Sequence, residues 1–142
     1  MDREQVNAAV ERIATSDGFA QSERLCRFLR FTVEAVLDGR GAEIKEYVIG
    51  REVFDRAGEY DPRTDPIVRV EARRLRKKLD EYYAGLGAGE TIRVSYPKGS
   101  YVPAFSGPTA PSRRHLIWSG AGLAAIAGAA WLWPRRATPK VA

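Results

Sequence analysis

Apolar residues recur at helical spacing between residues 66 and 83. On a wheel of about 100° per residue, one side carries Val68, Ala72, Leu75, Leu79, Tyr82 and Tyr83. The other side carries Arg69, Arg73, Arg76, Lys77 and Asp80. Asp65 is a suitable N-cap, and Pro66 fits the first turn, where its missing N–H would have had no partner. The pattern predicts an amphipathic helix over 66–83, which we call the basic helix, with Gly85 as its stop.

Three helical segments precede the basic helix. The first covers residues 3–14, and its apolar face carries Val6, Val10, Ile13 and Ala14. The second begins at a Ser22 cap, ends at Gly39 and repeats apolar positions at three- and four-residue spacing, which predicts the central core helix. Its repeating positions are Leu25, Phe28, Leu29, Thr32, Val33, Val36 and Leu37. The third contributes Ile44, Tyr47, Val48, Val53 and Phe54 and is expected to be interrupted near Gly50.

The polar side of the central helix and the loop after the third helix complete this half of the chain. Arg24, Arg27 and Arg30 are expected on a solvated helix face. The single cysteine, Cys26, lies in the apolar run and is predicted to be a buried core thiol. The loop DRAGEYDPRTDP contains two Asp-Pro pairs, and each keeps the residue before the proline out of helical geometry.

Alternating residues follow the basic helix and predict a tight β-hairpin. Ile92, Val94 and Tyr96 alternate with two polar residues, a Pro97-Lys98-Gly99 turn follows, and Tyr101 and Val102 begin the return strand. Glycine at position 99 suits a positive φ. Residues 1–105 are therefore predicted to form an α+β domain, with a three-helix core, a C-terminal hairpin and an extra N-terminal helix.

The C-terminal part predicts a membrane anchor. Residues 106–115 are a small, polar, proline-bearing linker, and 116–133 contain no charge. At 1.5 Å per residue the second segment reaches about 27 Å, close to the roughly 30 Å of a hydrocarbon core. A transmembrane helix is predicted over 116–133, with a short basic tail over 134–142; a helix buried in a soluble core is the alternative. The small-residue ridge Gly120, Ala124 and Gly128 is a candidate homodimer contact.

Charge is informative through its distribution. The net charge is +5, but residues 113–142 hold five basic residues and no acidic one, so 1–112 is neutral. Within the neutral part, residues 1–62 carry 9 basic and 13 acidic residues, whereas 63–112 carry 9 and 5. This asymmetry, −4 against +4, predicts positive potential on one surface, which attracts polyanions.

The sequence offers few residues that could form a catalytic site. The lone His115 has no Cys, Asp or Glu at ligand spacing, and the sequence has neither a phosphate-binding loop nor a nucleophile paired with histidine. We therefore expect no enzyme activity, no metal and no cofactor. A purely structural membrane subunit remains an alternative.

The segment VRVEARRLRKKL, followed by IRVSYPKGSYVPAF, resembles the recognition helix and wing of OmpR/PhoB-type winged helix-turn-helix DNA-binding domains. In that family a Val-x-Val-x-x-x-x-Leu-Arg-x-x-Leu helix precedes a strand and a Gly-x-Gly-Tyr wing. The resemblance covers residues 22–105. Two features depart from it: the N-terminus is helical where the family has a small sheet, and Gly99-Ser100-Tyr101 lacks one wing glycine. With the predicted span, the chain is similar to membrane-anchored ToxR/CadC-like regulators without their outer domain.

The resemblance implies a bacterial transcriptional regulator that reads duplex DNA. Its helix 66–83 would enter the major groove. Arg69 and Arg73 would meet base edges, while Arg74, Arg76, Lys77 and Lys78 would meet phosphates. Arg63 and Lys98 would brace the flanking backbone. The domain would lie in the cytoplasm, held at the inner membrane by a single span.

Two other interpretations of the basic helix stay open. One is a membrane-tethered winged-helix interaction module that docks an acidic partner or anionic lipid through the same surface. The other is a solvated helix face, paired with the acidic first half of the chain. Seven basic residues lie between Arg63 and Lys78 against only Asp65 and Glu71, which favours the DNA-binding interpretation.

Overall fold

The structure, a computed structural model, describes residues 2–56 and 58–107. Within these ranges the chain forms a helix-rich α+β domain whose helices precede a two-stranded antiparallel sheet. The helices are α1 (Arg3–Thr15), α2 (Asp17–Ala20), α3 (Glu23–Leu37), a 3₁₀ turn (Gly41–Glu43), α4 (Glu46–Glu52) and α5 (Ile67–Ala84). The strands are β1 (Arg93–Ser95) and β2 (Ala104–Ser106). The α+β class predicted from the sequence is confirmed.

Helices α1 and α3 have the buried faces that their spacing predicts. In α1 the four predicted apolar residues are buried, and the Asp2 side chain accepts a hydrogen bond from the Glu4 amide. In α3 five of the seven predicted positions are buried, and Val36 and Leu37 at the end of the helix are half-buried. Cys26 is a buried thiol, as predicted, and burial raises its pKa. The four-residue α2 is too short to show a period, so the sequence did not predict it or the complete burial of Phe19.

The third helix, predicted to be interrupted near Gly50, is not broken at that residue. Helix α4 continues through Gly50 to Glu52, and Gly50 is buried against the ring of Tyr60. Its core residue is Ile49, whereas Tyr47 is exposed and Val48 is only half-buried. The Tyr60 ring, from the following loop, fills the space that a side chain at position 50 would need. Glycine therefore fits inside this helix because of a tertiary contact that local spacing cannot show.

Helix α5 begins one residue later than predicted. Pro66 occupies the N-cap position and Asp65 lies one residue before it. The Asp65 carboxylate still accepts a hydrogen bond from the Ile67 amide at 3.1 Å, so it satisfies one of the unpaired N–H groups of the first turn. The helix ends at Ala84, before the predicted stop, and all six predicted apolar residues are buried.

The hairpin is longer than the predicted tight turn. β1 alternates as expected, with Val94 buried between more exposed neighbours. The return strand is Ala104–Ser106, paired Arg93 to Ser106, so the prediction that it begins at Tyr101 and Val102 is wrong. Those two residues belong to the connection 96–103, where they are half-buried against the core. Gly99 has φ 77° at the turn, as predicted.

The predicted anchor lies outside the described residues. This applies to linker residues 108–115, the span 116–133 with its Gly120, Ala124 and Gly128 ridge, and the tail 134–142. Ser106, the first residue of the predicted linker, is the last residue of β2. Among the residues that the structure describes, no helix combines the length and apolar character needed to cross a membrane.

Candidate nucleic-acid interface

Helix α5 carries six of the eight cations that the sequence predicts to bind DNA. The buried face of α5 fixes the orientation of this surface, because Val68, Leu75 and Leu79 are all at most 2% exposed. On the opposite side, Arg73 and Lys77 are exposed. This arrangement directs their charged groups away from the domain, where they are accessible to a partner.

Arg76 connects α5 to the hairpin tip. Its Nε donates to the Tyr96 carbonyl at 3.0 Å, and its Nη2 donates to the carbonyls of Pro97 at 3.2 Å and Ser100 at 2.8 Å. The guanidinium suits this role because it offers several donors in a rigid planar fork. These bonds hold the turn around Lys98 at a set position beside α5, while the charge of Arg76 stays on the same surface.

The helix and the turn together form a basic groove, which we define by its lining residues. These are Arg73, Arg76, Lys77, Asp80, Lys98 and Gly99, around an open volume of about 450 Å³. Four of them are cationic and one is acidic. Neither Arg73 nor Lys98 forms an ion pair with any residue that the structure describes. The basic groove therefore has an excess of positive charge that suits a phosphate group.

Two of the predicted contact residues lie near the start of α5. Arg69 donates from Nη2 to the Pro62 carbonyl at 2.9 Å, and its Nε lies 3.6 Å from Oε1 of Glu46. Its side chain thereby links α5 to α4 and to the preceding loop. Arg63 lies in that loop with an exposed side chain, and its amide donates to the Asp61 carboxylate.

The remaining two predicted residues lie along the other edge of α5. Arg74 lies 3.9 Å from the Glu71 carboxylate, and Lys78 lies 3.2 Å from that of Glu81. Lys78 lines a different groove, together with Phe19 and Leu86. The structure therefore brings together Arg73, Arg76, Lys77 and Lys98, and places Arg74 and Lys78 apart from them.

Arg93 is a cation near this surface that the sequence interpretation did not select. Its guanidinium lies 4.5 Å from the centre of the Tyr83 ring, a cation–π contact. The Tyr83 hydroxyl in turn accepts a hydrogen bond from the Val94 amide at 2.7 Å. Arg93 also shares a second cleft with Arg76 and Lys98. The sequence does indicate that Arg93 points to the other side of the strand from Val94. The same alternation is also expected of an ordinary solvent-facing residue, so it could not select Arg93.

A candidate metal site is absent from the part of the chain that the structure describes. In these ranges no group of three or more His, Cys, Asp or Glu side chains could hold a metal ion.

Comparisons of the chain with known protein families, with curated proteins and with solved structures give no significant match. The function is therefore inferred from the geometry of α5 and the hairpin.

Proposed function

We propose that this chain is a membrane-anchored DNA-binding protein that regulates transcription. Its described part would be a winged-helix domain of the OmpR/PhoB type, with α5 as the recognition helix and the connection 96–103 as the wing. The observation that carries the proposal is the basic groove, in which cations of α5 and of the hairpin tip lie side by side, with Arg76 joining the two elements.

The dimensions of α5 suit the major groove of duplex DNA. Its 18 residues span about 27 Å, and a major groove about 12 Å wide admits one α-helix. We assign base reading first to Arg73, which is exposed in the second turn. An arginine bound through two hydrogen bonds to guanine contributes about 1–3 kcal/mol of discrimination. Lys77 and Lys98 would contact phosphates on either side of that base pair.

The other predicted contacts receive supporting roles in this proposal. Arg69 would have to break its ion pair with Glu46 before it could contact a base, so we assign base reading to Arg73 before Arg69. Arg74 and Lys78 would approach phosphates along the far edge of α5. Arg63 would approach the flanking backbone from the loop. Arg76 would act mainly as a positioning residue, because its donors already bind three carbonyls.

The membrane anchor completes the proposed arrangement. Residues 116–133 would span the inner membrane once and hold the DNA-binding domain on its cytoplasmic side. The ridge of Gly120, Ala124 and Gly128 would allow two spans to pack together. A pair of domains held this way would read two neighbouring half-sites.

Genome-wide crosslinking of the intact protein in its host cell tests this function. We expect discrete enriched sites for the wild-type chain. They should be lost in Arg73→Ala and kept in Arg24→Ala. Arg24 is a matched control because it is exposed on α3 and forms no ion pair with a described residue. Failure of the wild-type chain to enrich any discrete site contradicts the proposal.

The rival proposal uses the same surface. Cations that fit a DNA phosphate also fit the phosphate of an anionic lipid, and a tethered domain stays close to the membrane. The two functions are separated by placing the full chain in lipid nanodiscs and measuring how strongly Lys77 and Lys98 are protected from acetylation. The DNA-binding proposal expects duplex DNA to protect both lysines in zwitterionic discs. Protection by anionic discs without DNA, and none by DNA, supports lipid docking instead.

A further inference from the structure

Arg69 and Arg73 occupy matching positions on consecutive turns of α5. They lie four residues apart and about 40° apart on the helical wheel, so both side chains leave the helix in similar directions. Their surroundings differ. Arg73 forms no ion pair with a described residue, whereas Arg69 is held by the Glu46 carboxylate and the Pro62 carbonyl. Only Arg69 must therefore leave partners within the domain before it can bind a base.

The Glu46 carboxylate depends on Arg69 for its positive partner. Glu46 is the first residue of α4, and its side chain is 22% exposed, against 50% for Arg69. Its Oε1 atom is buried and accepts no hydrogen bond from the described residues. Within that part of the chain, Arg69 is the only cation at ion-pair distance from Glu46, with its Nε 3.6 Å from Oε1. The charge of Glu46 is therefore compensated by this one contact.

The two tyrosines near Glu46 cannot take the place of Arg69. Burial, above all, raises the pKa of the Tyr60 and Tyr101 hydroxyls, and the Glu46 charge acts in the same direction. Both hydroxyls are neutral at pH 7, because even the ordinary tyrosine pKa is about 10. If Arg69 turned towards DNA, Glu46 would remain as a largely buried carboxylate without a cation, which is a costly state.

The Pro62 carbonyl is a second restraint on Arg69. It accepts a hydrogen bond from Nη2 at 2.9 Å, and hydrogen bonds from a charged donor are among the stronger ones in proteins. The backbone beside Pro62 is itself held, because the amides of Thr64 and Asp65 donate to the Asp61 carbonyl at 3.1 and 3.0 Å. A base that captured Arg69 would have to replace two positioned acceptors.

We propose that Glu46 is a specificity-determining residue, which keeps Arg69 from reading a base and leaves that role to Arg73. This inference rests on the proposed DNA-binding function and deepens it. A side chain of α4 sets how many base pairs α5 reads. Removal of the Glu46 charge frees a guanidinium beside Arg73, and the protein then acquires a preference for one additional guanine.

The test uses the full 142-residue chain in detergent and a randomised duplex pool. Sites are selected in parallel with the wild-type chain, with Glu46→Gln, and with Glu46→Gln combined with Arg69→Ala. We expect Glu46→Gln to select one guanine that the wild type does not select. Replacing that guanine should weaken binding of Glu46→Gln about fivefold or more and of the wild type less than twofold. The double variant should lose this preference.

Asp80→Asn is the matched control for the loss of a negative charge. Asp80 is exposed in the basic groove and forms no ion pair with a described residue. It lies eleven residues beyond Arg69, about 16 Å along the helix axis, so the two side chains are not coupled. Asp80→Asn should tighten binding to all duplexes and select no additional guanine.

A second variant, Glu46→Asp, keeps an acidic residue in the first turn of α4 but shortens its reach towards Arg69 by one methylene group. It should enrich the same additional guanine, less strongly than Glu46→Gln. The guanine read by Arg73 should persist in both selections, which shows that the variants fold.

The outcomes separate this inference from the function on which it rests. If Glu46→Gln and Glu46→Asp select the same sites as the wild type, the Glu46 inference is overturned while the DNA-binding function stands. The same holds if Arg69→Ala abolishes a guanine preference that the wild type already has. If no variant and no wild-type chain retains DNA from the pool, both the inference and the function are overturned.

Discussion

The guanidinium of Arg76 and the backbone carbonyl of Ser100 are joined by a hydrogen bond of 2.8 Å. This bond, with two others from the same side chain, makes the hairpin tip and α5 one surface. Lys98 lies inside the turn that these bonds hold, so Arg76 fixes the backbone from which the Lys98 side chain extends into the groove with Arg73 and Lys77. The geometry of the proposed phosphate-binding groove thus depends on a residue whose own donors bind the backbone of the hairpin tip.

Replacing Arg76 by lysine should loosen the hairpin tip. An ammonium group cannot reproduce the planar fork that reaches three carbonyls. We expect a loss of about 1–2 kcal/mol in unfolding free energy, measured by urea denaturation. Amide exchange at Ser100, whose N–H donates to the Pro97 carbonyl, should become faster. Arg73→Lys is the control and should change stability by less than about 0.5 kcal/mol. Equal effects of the two variants would contradict this role for Arg76.

The buried hydroxyls of Thr32 and Tyr96, 2.6 Å apart, should respond unequally to mutation. Tyr96→Phe should cost about 1 kcal/mol, because Thr32 keeps its bond to the Phe28 carbonyl at 2.8 Å. Thr32→Val leaves the buried Tyr96 hydroxyl without its hydrogen-bond partner and should lower the unfolding free energy by about 2–3 kcal/mol. The double variant should cost less than the sum of the two single ones in urea unfolding. Strict additivity would rule out the proposed coupling.

Gly50 should not tolerate a side chain. A Cβ there would overlap the Tyr60 ring, so Gly50→Ala must displace that ring. The gain in helix propensity is about 1 kcal/mol, and overpacking typically costs about 1–3 kcal/mol. We expect a lower melting temperature. Gly18→Ala is the matched control, since nothing lies within 4 Å of its Cβ, and it should leave the melting temperature unchanged or raise it. A more stable Gly50→Ala would show that Tyr60 moves away freely.

The pairing of Arg12 with Glu90 should make stability pH-dependent. Nε and Nη2 of Arg12 donate to the Glu90 carboxylate at 2.7 and 2.6 Å, and the Tyr82 hydroxyl donates to it at 3.1 Å. The Arg12 hydrogen bond, above all, lowers the pKa of Glu90 below its ordinary value. Because the folded pKa is the lower one, the stabilisation is present above the unfolded pKa of about 4.3 and is lost as pH falls through the folded pKa.

We therefore expect Glu90→Gln to cost about 1 kcal/mol at pH 7 and progressively less below about pH 4. Urea unfolding over this pH range measures the difference. Arg12→Gln removes the other partner and should give the same pH trend. A difference that stays constant down to pH 2 would mean that the Glu90 charge does not contribute to stability.

Local patterns predicted the elements whose burial follows helical spacing, and α5 is the clearest case. Its period places Val68, Leu75 and Leu79 on one side, where the structure buries them. Tertiary contacts account for what the sequence interpretation missed. The continuation of α4 through Gly50 depends on a ring from the following loop. The three carbonyl acceptors of Arg76 come from residues 96–100, so no spacing within the helix could indicate them.

The prediction that the return strand begins at Tyr101 was wrong for a similar reason. Tyr101 and Val102 are apolar and follow a turn, which is typical of a strand. In the fold they pack against the core from the connection, and the register begins only at Ala104. At the candidate site, charge density in the sequence selected the outward face of α5, where the structure places Arg73 and Lys77. It could not separate Arg73, unpaired among the described residues, from Arg69, which is held by Glu46 and Pro62.

Whether Arg73 in the basic groove binds DNA, as we propose, is tested most directly by equilibrium binding of the full chain to a duplex selected from a randomised pool. Arg73→Ala should weaken binding about tenfold or more, whereas Arg24→Ala, with the same loss of charge, should weaken it less than twofold. Wild-type affinity should also fall steeply as salt rises, because several phosphates are neutralised. Equal weakening by the two variants, or no wild-type binding at low salt, would contradict the claim.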